Sequence, residues 1–335
     1  MESTVIVVMG LLALAVAAYV RWTRDDAVDR PEAEWGKPLE RWRDIESIAR
    51  YHRRKAEEDP ESVFLDDRTW SDLHLDLVFA KVDRTRSTIG KQFLYHRLRC
   101  TPTKDELDRF ERLVSHFTEN VDERVRSQHL LARLSHAAGY RLIDLCQEGG
   151  LRTRWWYSVF PLLGSAAVVS LIAYIFYWPR ALLVLMAIAV VNTFLRFMLS
   201  SRVFHFFGPF RQVGPLIKGA NEILVQPTVA EILGRSQLQD DLRSIAPLRR
   251  TAGWATRNSS MQGEIAGSTW EYLNLVFLFD ANATFFAIRT LRKSGSSLMR
   301  IIELLGEVDA AISTASLRAG SEEWSVPEFT PAGRP

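Results

Sequence analysis

Cysteine is nearly missing from this chain. Only Cys100 and Cys146 occur in 335 residues, which excludes a disulfide framework and a cysteine-built zinc cluster and leaves two free thiols. A surplus of one charge is missing too. The 42 Lys and Arg against 40 Asp and Glu leave a formal net charge of +2, which argues against coating nucleic acid by bulk charge. No repeat, no low-complexity tract and no G-x-x-x-x-G-K-[ST] phosphate loop occurs; Gly90-Lys91 lacks the upstream glycine and runs into Gln92. No Gly-x-Ser-x-Gly elbow supports a hydrolase, and His52, His96, His116, His129, His136 and His205 are scattered without ligand spacing. No complete catalytic set remains.

What is present begins with apolar runs. Hydrophobic residues make up 47% of the chain, enough for a sizeable core. Thr4 to Val20 carries no charge, and with Arg21 and Arg24 after it and no basic segment before it, it reads as a signal anchor rather than a cleaved signal peptide. Trp156 to Trp178 and Ala181 to Leu199 read as two further spans, joined into a helical hairpin by Pro179 and Arg180. Trp155, Trp156, Tyr157, Tyr177 and Trp178 fall where interfacial aromatic belts belong. Arg21, Arg24, Arg152, Arg154, Arg196 and Arg202 all sit on one side of these spans. The positive-inside rule then puts the N-terminus outside and residues 21–154 and 200–335 in the cytosol of a multi-pass inner-membrane protein.

The remainder divides into a charged juxtamembrane segment, 21–64, a first helical part, 65–154, the hairpin, 155–200, and a second helical part, 201–335. Pro38 to Glu58 is expected as a solvated helix with a thin stripe of Trp42, Ile45, Ile48, Ala49 and His52. Its cluster Arg50, Arg53, Arg54 and Lys55 reads first as a solvated face balanced by Glu57, Glu58 and Asp59, and second as a contact to anionic lipid or DNA phosphate. Thr69 with Asp72 resembles a capping box, after which Leu73, Leu77 and Ala80, widened by Leu75, Val78, Phe79 and Val82, predict a buried helical stripe. On such a helix His74 faces away from Asp72 and Asp76, so this alternating trio reads as ordinary surface rather than metal ligands.

Asp83 to Thr88 is polar and turn-like, and a second helix from Ile89 should stop at Thr101-Pro102. Thr103 with Glu106 is a cleaner capping box for a helix burying Leu107, Phe110, Val114 and Phe117, ended by Asn120; another helix runs from Val121 to His136. Phe204 to Pro215 reads as a loose region broken by Gly208, Pro209, Gly214 and Pro215, followed by short helices around Ala220 to Leu224 and Val229 to Ile245. Pro247 to Gly263 holds a second weak basic patch, Arg249, Arg250 and Arg257. Ser268 to Leu291 is apolar enough to suggest a fourth span, but Asn274, Asp280, Asn282 and Arg289 favour a buried core helix. Ser296 to Leu317 repeats apolar residues at helical spacing.

The run DRTRSTIG at 83–90, the helix ending LRCTP and the capped helix after it resemble the core (lever) domain of the MutS family of DNA mismatch repair ATPases. LDDRTWSDLHLDLVF at 65–79 resembles the membrane-associated branch of that family. LLGEVDAAISTASLRAG resembles its returning lever helix, and WSVPEF its extended lead-in to the ATPase domain; together the likeness covers roughly 60–140 and 268–329. The resemblance implies an all-α fold, a structural role for Asp83, Arg84, Thr85 and Gly90 in fixing a turn between helices, and pairing into a homo- or heterodimer. It also implies that ATP and Mg belong to an ATPase domain outside this chain, which stops at Pro335 where that domain would start. The family's mismatch-reading domain has no counterpart, and the hairpin stands where soluble relatives extend levers to a DNA clamp.

The expectation is therefore an all-α, three-span membrane protein with a MutS-like core on its cytosolic face. It would be no enzyme by itself and hold no cofactor or metal, and it would act as the transmission half of a membrane-bound MutS-like ATPase with possible DNA contact. The alternatives are a nucleotide-independent membrane scaffold that binds another protein, and a truncated product without an independent role.

Overall fold

The computed structural model describes residues 33–146, 159–176, 178–260 and 276–326. The chain divides into two units, Met1–Trp35 and Gly36–Pro335, and every described helix belongs to the second. The N-terminal anchor, Arg152, Arg154, most of the aromatic belt and the end of WSVPEF lie outside the described residues. Among the described residues the chain is helical, with no strand beyond an isolated antiparallel bridge between Phe64 and Cys100.

The helices are α1 (Ile45–Glu58), α2 (Asp67–Asp72), α3 (Leu75–Val82), α4 (Thr88–Arg97), α5 (Lys104–Glu119) and α6 (Val121–Ala132). A 3-10 segment, Ala137–Cys146, precedes α7 (Val159–Phe176), α8 (Ala181–Val225), α9 (Pro227–Ile232), α10 (Arg235–Ser260) and α11 (Phe279–Ala319). The last of these is the spine. Helix α11 packs on α4, α5, α8 and α10 and also touches the 3-10 segment and α7, so both sequence halves share one core. Leu298, Ile301, Leu305, Val308, Ile312 and Ala315 recur along it at helical spacing and are all buried.

Local chemistry explains most boundaries. Helix α1 starts at Ile45 rather than Pro38, because the Asp44 carboxylate accepts from the Ser47 amide, and it buries Ile48, Ala49, Tyr51 and His52 while Trp42 stays exposed. The capping box at Thr103 and Glu106 is present in full, and α5 buries Phe110, Leu113, Val114 and Phe117. Asn120 ends α5 and begins α6, which stops at Ala132 rather than His136.

Other expectations are corrected. The helix around Trp70 is capped by Asp66, not Thr69, and the chain breaks at His74, which adopts a left-handed conformation (φ 51°). Divided in this way, α2 and α3 leave Leu73, Leu77 and Val78 exposed and bury only Trp70 and Phe79. The expected loose region at Phe204–Pro215 lies inside one 45-residue helix, α8. Each internal proline forfeits an amide bond at about 3 kcal/mol. Burial of Phe210, Val213, Leu216, Ile217, Ala220 and Ile223 offsets that cost. Pro247 likewise sits inside α10, which runs past the expected end at Ile245 and carries Arg249, Arg250 and Arg257. Finally, the two helices expected over 268–291 and 296–317 are one over its described length: α11 runs 41 residues without a stop.

The apolar pair is a hairpin, with α7 and α8 packed together across Pro179 and Arg180. Helix α7 is the one described helix long and apolar enough to cross a membrane; the apolar part of α8, Ala181–Leu195, is shorter.

Candidate functional site

Two arrangements converge on α11. The first is the Asp83–Gly90 turn, where every residue is buried although the sequence reads as a polar loop. Burial there requires that each polar group find a partner inside the protein. Asp309, on α11 and fully buried, accepts from the amides of Arg86 (3.0 Å) and Ser87 (2.7 Å) and from the Ser87 hydroxyl (2.6 Å). Ser87 in turn caps α4 by accepting from the Gly90 amide at 2.9 Å. Burial outweighs these bonds and pushes the Asp309 carboxyl up to about 6.

The four motif residues each have a place in this turn. Asp83 accepts from the Thr85 hydroxyl (2.6 Å) and from the Arg43 guanidinium (2.8 Å), a largely buried ion pair. Arg84 donates its amide to Ser313 Oγ at 2.8 Å and its guanidinium to the Ser316 carbonyl, while Ser313 Oγ donates to the Val82 carbonyl at 2.8 Å. Gly90 lies against Asp309 so closely that a Cβ would come within 2.1 Å of Oδ2, a space only glycine leaves open.

The second arrangement is a cleft of about 630 Å³ where the ends of α1 and α4 meet α5, α10 and α11. Ion pairs cross it from α11 to three different helices. Glu303 takes Lys55 of α1 at 2.6 Å and the Tyr51 hydroxyl at 3.1 Å; Glu307 takes Arg109 of α5 through two bonds of 3.0 and 3.1 Å. Arg300 donates to Asp241 of α10 (Nε to Oδ2, 2.9 Å), and farther along Arg318 donates to Glu111 of α5 at 2.8 Å. Glu307 and Asp241 are buried, so each carboxylate fixes its arginine at the cleft wall. Burial raises the Glu307 carboxyl, and the Arg109 charge opposes that shift.

His96 lines this cleft, and behind it the fold joins two histidines 44 positions apart: His52 Nδ1 and His96 Nδ1 are 3.1 Å apart. Burial, helped for His52 by Arg99 and for His96 by the facing His52, pushes both imidazoles down to about 4. Cys100 Sγ lies 3.3 Å from His96 Nε2. Its thiol is pushed up to about 11 by burial, so it offers no thiolate nucleophile at neutral pH. Among the described residues no group of three His, Cys, Asp or Glu side chains could hold a metal ion. The one sequence signal for this cluster was the spacing of four between His96, near the end of α4, and Cys100 just beyond it; the approach of His52 is purely tertiary.

The expected basic cluster on α1 is split. Arg50 and Arg53 are exposed, whereas Arg54 pairs with Glu58 (2.7 Å) and donates to the Ile143 carbonyl, and Lys55 is engaged by Glu303. Arg249, Arg250 and Arg257 share the C-terminal half of α10, and their side chains lie outside the described ones. Asp72, His74 and Asp76 do not converge: Asp72 faces Arg68, and Asp76 accepts from the Trp70 indole at 2.8 Å. Compared with known proteins, the chain matches no family model, no curated protein and no solved structure.

Proposed function

We propose that the protein is a membrane-anchored, MutS-like lever module that carries motion between a bilayer and a nucleotide-driven partner. In this reading the N-terminal run and both hairpin helices span the membrane, the N-terminus is outside, and residues 21–154 and 200–335 are cytosolic. The partner is a MutS-like ATPase domain, which binds ATP and Mg. The module pairs as a dimer, and any DNA contact belongs to the exposed arginines.

One observation carries the proposal. A single 41-residue helix, α11, is packed against the apolar hairpin near its start and holds the Asp83–Gly90 turn near its end. At 1.5 Å per residue it spans about 60 Å. Such a rod carries displacement from one end to the other with little loss. The ion pairs along the cleft suit a joint, because charged partners beside a cavity can exchange without opening an apolar core.

Hydrogen exchange in native membranes tests the reading. Adding ATP is expected to change the protection of α11 and of residues 83–90 there, and to leave the purified 335-residue chain unaffected. No change in native membranes would defeat transmission; a change in the purified chain would mean it binds nucleotide itself. A nucleotide-independent scaffold remains the second reading. It is favoured by the exposed face of Leu73, Leu77 and Val78, an apolar patch of the kind that receives another protein.

A further inference from the structure

We propose that the cleft is a binding site for a small monocarboxylate with an apolar body, anchored by the Arg97 guanidinium. The inference goes beyond the lever reading and stands whether or not the chain moves with a nucleotide-driven partner. It starts from the cations that line the cleft. Lys55 has Glu303 at 2.6 Å, Arg109 has Glu307 through two bonds, and Arg300 has Asp241. Arg97, at the end of α4, is the one cleft cation with no ion-pair partner among the described residues, and its one side-chain hydrogen bond, from Nη2 to the Glu106 carbonyl, is 3.5 Å long.

A half-buried guanidinium without a counter-charge loses hydration that no ion pair returns, and burial lowers the Arg97 pKa accordingly. The nearby acids are committed elsewhere. Glu106 accepts from the Thr103 amide (2.8 Å) and hydroxyl (3.0 Å) in the capping box of α5, and Glu307 is held by Arg109. Phe110 covers one face of the guanidinium, whose carbon lies 3.9 Å from the ring centroid, and so fixes its plane. What stays available is the edge, a planar fork of N–H donors of the kind that takes a carboxylate through two parallel bonds.

The rest of the wall sets the class of ligand. Six carboxylates and four cations line the cleft, so its field accepts one added negative charge at Arg97 and opposes two, which favours a carboxylate over a phosphate monoester. Phe93, four residues before Arg97, shares its face of α4, and Leu304, three before Glu307, shares that residue's face of α11. Both line the cleft and offer an apolar seat beside the charge. The cleft volume of about 630 Å³ falls within the roughly 300–1,000 Å³ of small-molecule sites.

Calorimetric titration of the intact chain in nanodiscs, with empty nanodiscs subtracted, tests the site with three probes that share one apolar body: butanoate, butyl phosphate and butylammonium. Butanoate is expected to bind, and more tightly than the other two. In Arg97→Met its affinity should fall about tenfold, the weight of one charge-assisted pair. Arg97→Lys keeps the charge but loses the fork, and should fall between the two. Arg50→Met, at an exposed position of α1 away from the cleft lining, should leave the affinity unchanged. Butanoate that fails to bind, or that binds the Arg97 variants as tightly as the unaltered chain, overturns the site; tighter binding of butyl phosphate or butylammonium overturns the ligand class. Should Arg97→Met fail to fold, Arg97→Lys decides by the same criterion.

Discussion

At the residue scale, stability concentrates where polar groups are walled in. Gly90→Ala would drive a methyl group into Asp309, and we expect a loss of about 1–3 kcal/mol, read as a lower urea midpoint. Asp309→Asn keeps the shape but turns an acceptor into a donor beside the Arg86 and Ser87 amides, so a similar loss of about 1–3 kcal/mol is expected. The pH dependence has two opposing parts. His52 and His96 titrate near 4 when folded, against 6.5 in the open chain, so the unfolded state binds more protons between those values and acidification erodes stability there. Asp309, raised to about 6 from 3.8, works the other way, favouring the folded state as pH falls through the same range. The two imidazoles contribute a fall in stability from pH 6.5 toward 4, set against the carboxyls of Asp309 and Glu307, both raised by burial. His96→Asn should flatten it in urea titrations repeated at each pH.

At the element scale, the ion pairs tie α11 to its neighbours. Truncating Arg109 to Met leaves Glu307 buried without its partner, which should cost about 3 kcal/mol, the low end for a broken buried pair because Arg109 is itself partly exposed. Changing Glu307 to Leu in that background should recover much of the loss, and thermal unfolding of the two single variants and the double one checks the coupling. Element boundaries were legible where a cap or an amphipathic stripe wrote them, as at Thr103 and along Phe110, Val114 and Phe117. They were illegible where tertiary burial overruled a local signal. Pro209 and Pro215 read as breaks and are held within one helix by the apolar residues packed beside them, whereas His74 carries no breaker chemistry and yet divides a helix. The Asp83–Gly90 turn was legible as a turn but not as a buried one, because its partners Asp309, Ser313 and Ser316 lie more than 200 residues away.

At the scale of the whole molecule, one helix gives the chain its unity. The two sequence halves separated by the hairpin meet on α11, and the histidine pair, the ionic cleft and the polar turn are all assembled on or beside it. The sequence suggested two helices where α11 is one, and that difference turns a set of packed segments into a rod. Site-resolved hydrogen exchange of the intact chain in bilayers tests this most directly. If α11 is a single rod, the amides from Asn282 to Ser316 should open as one cooperative unit with a common free energy. Independent opening of 279–291 and 296–317, with distinct free energies, would contradict the account.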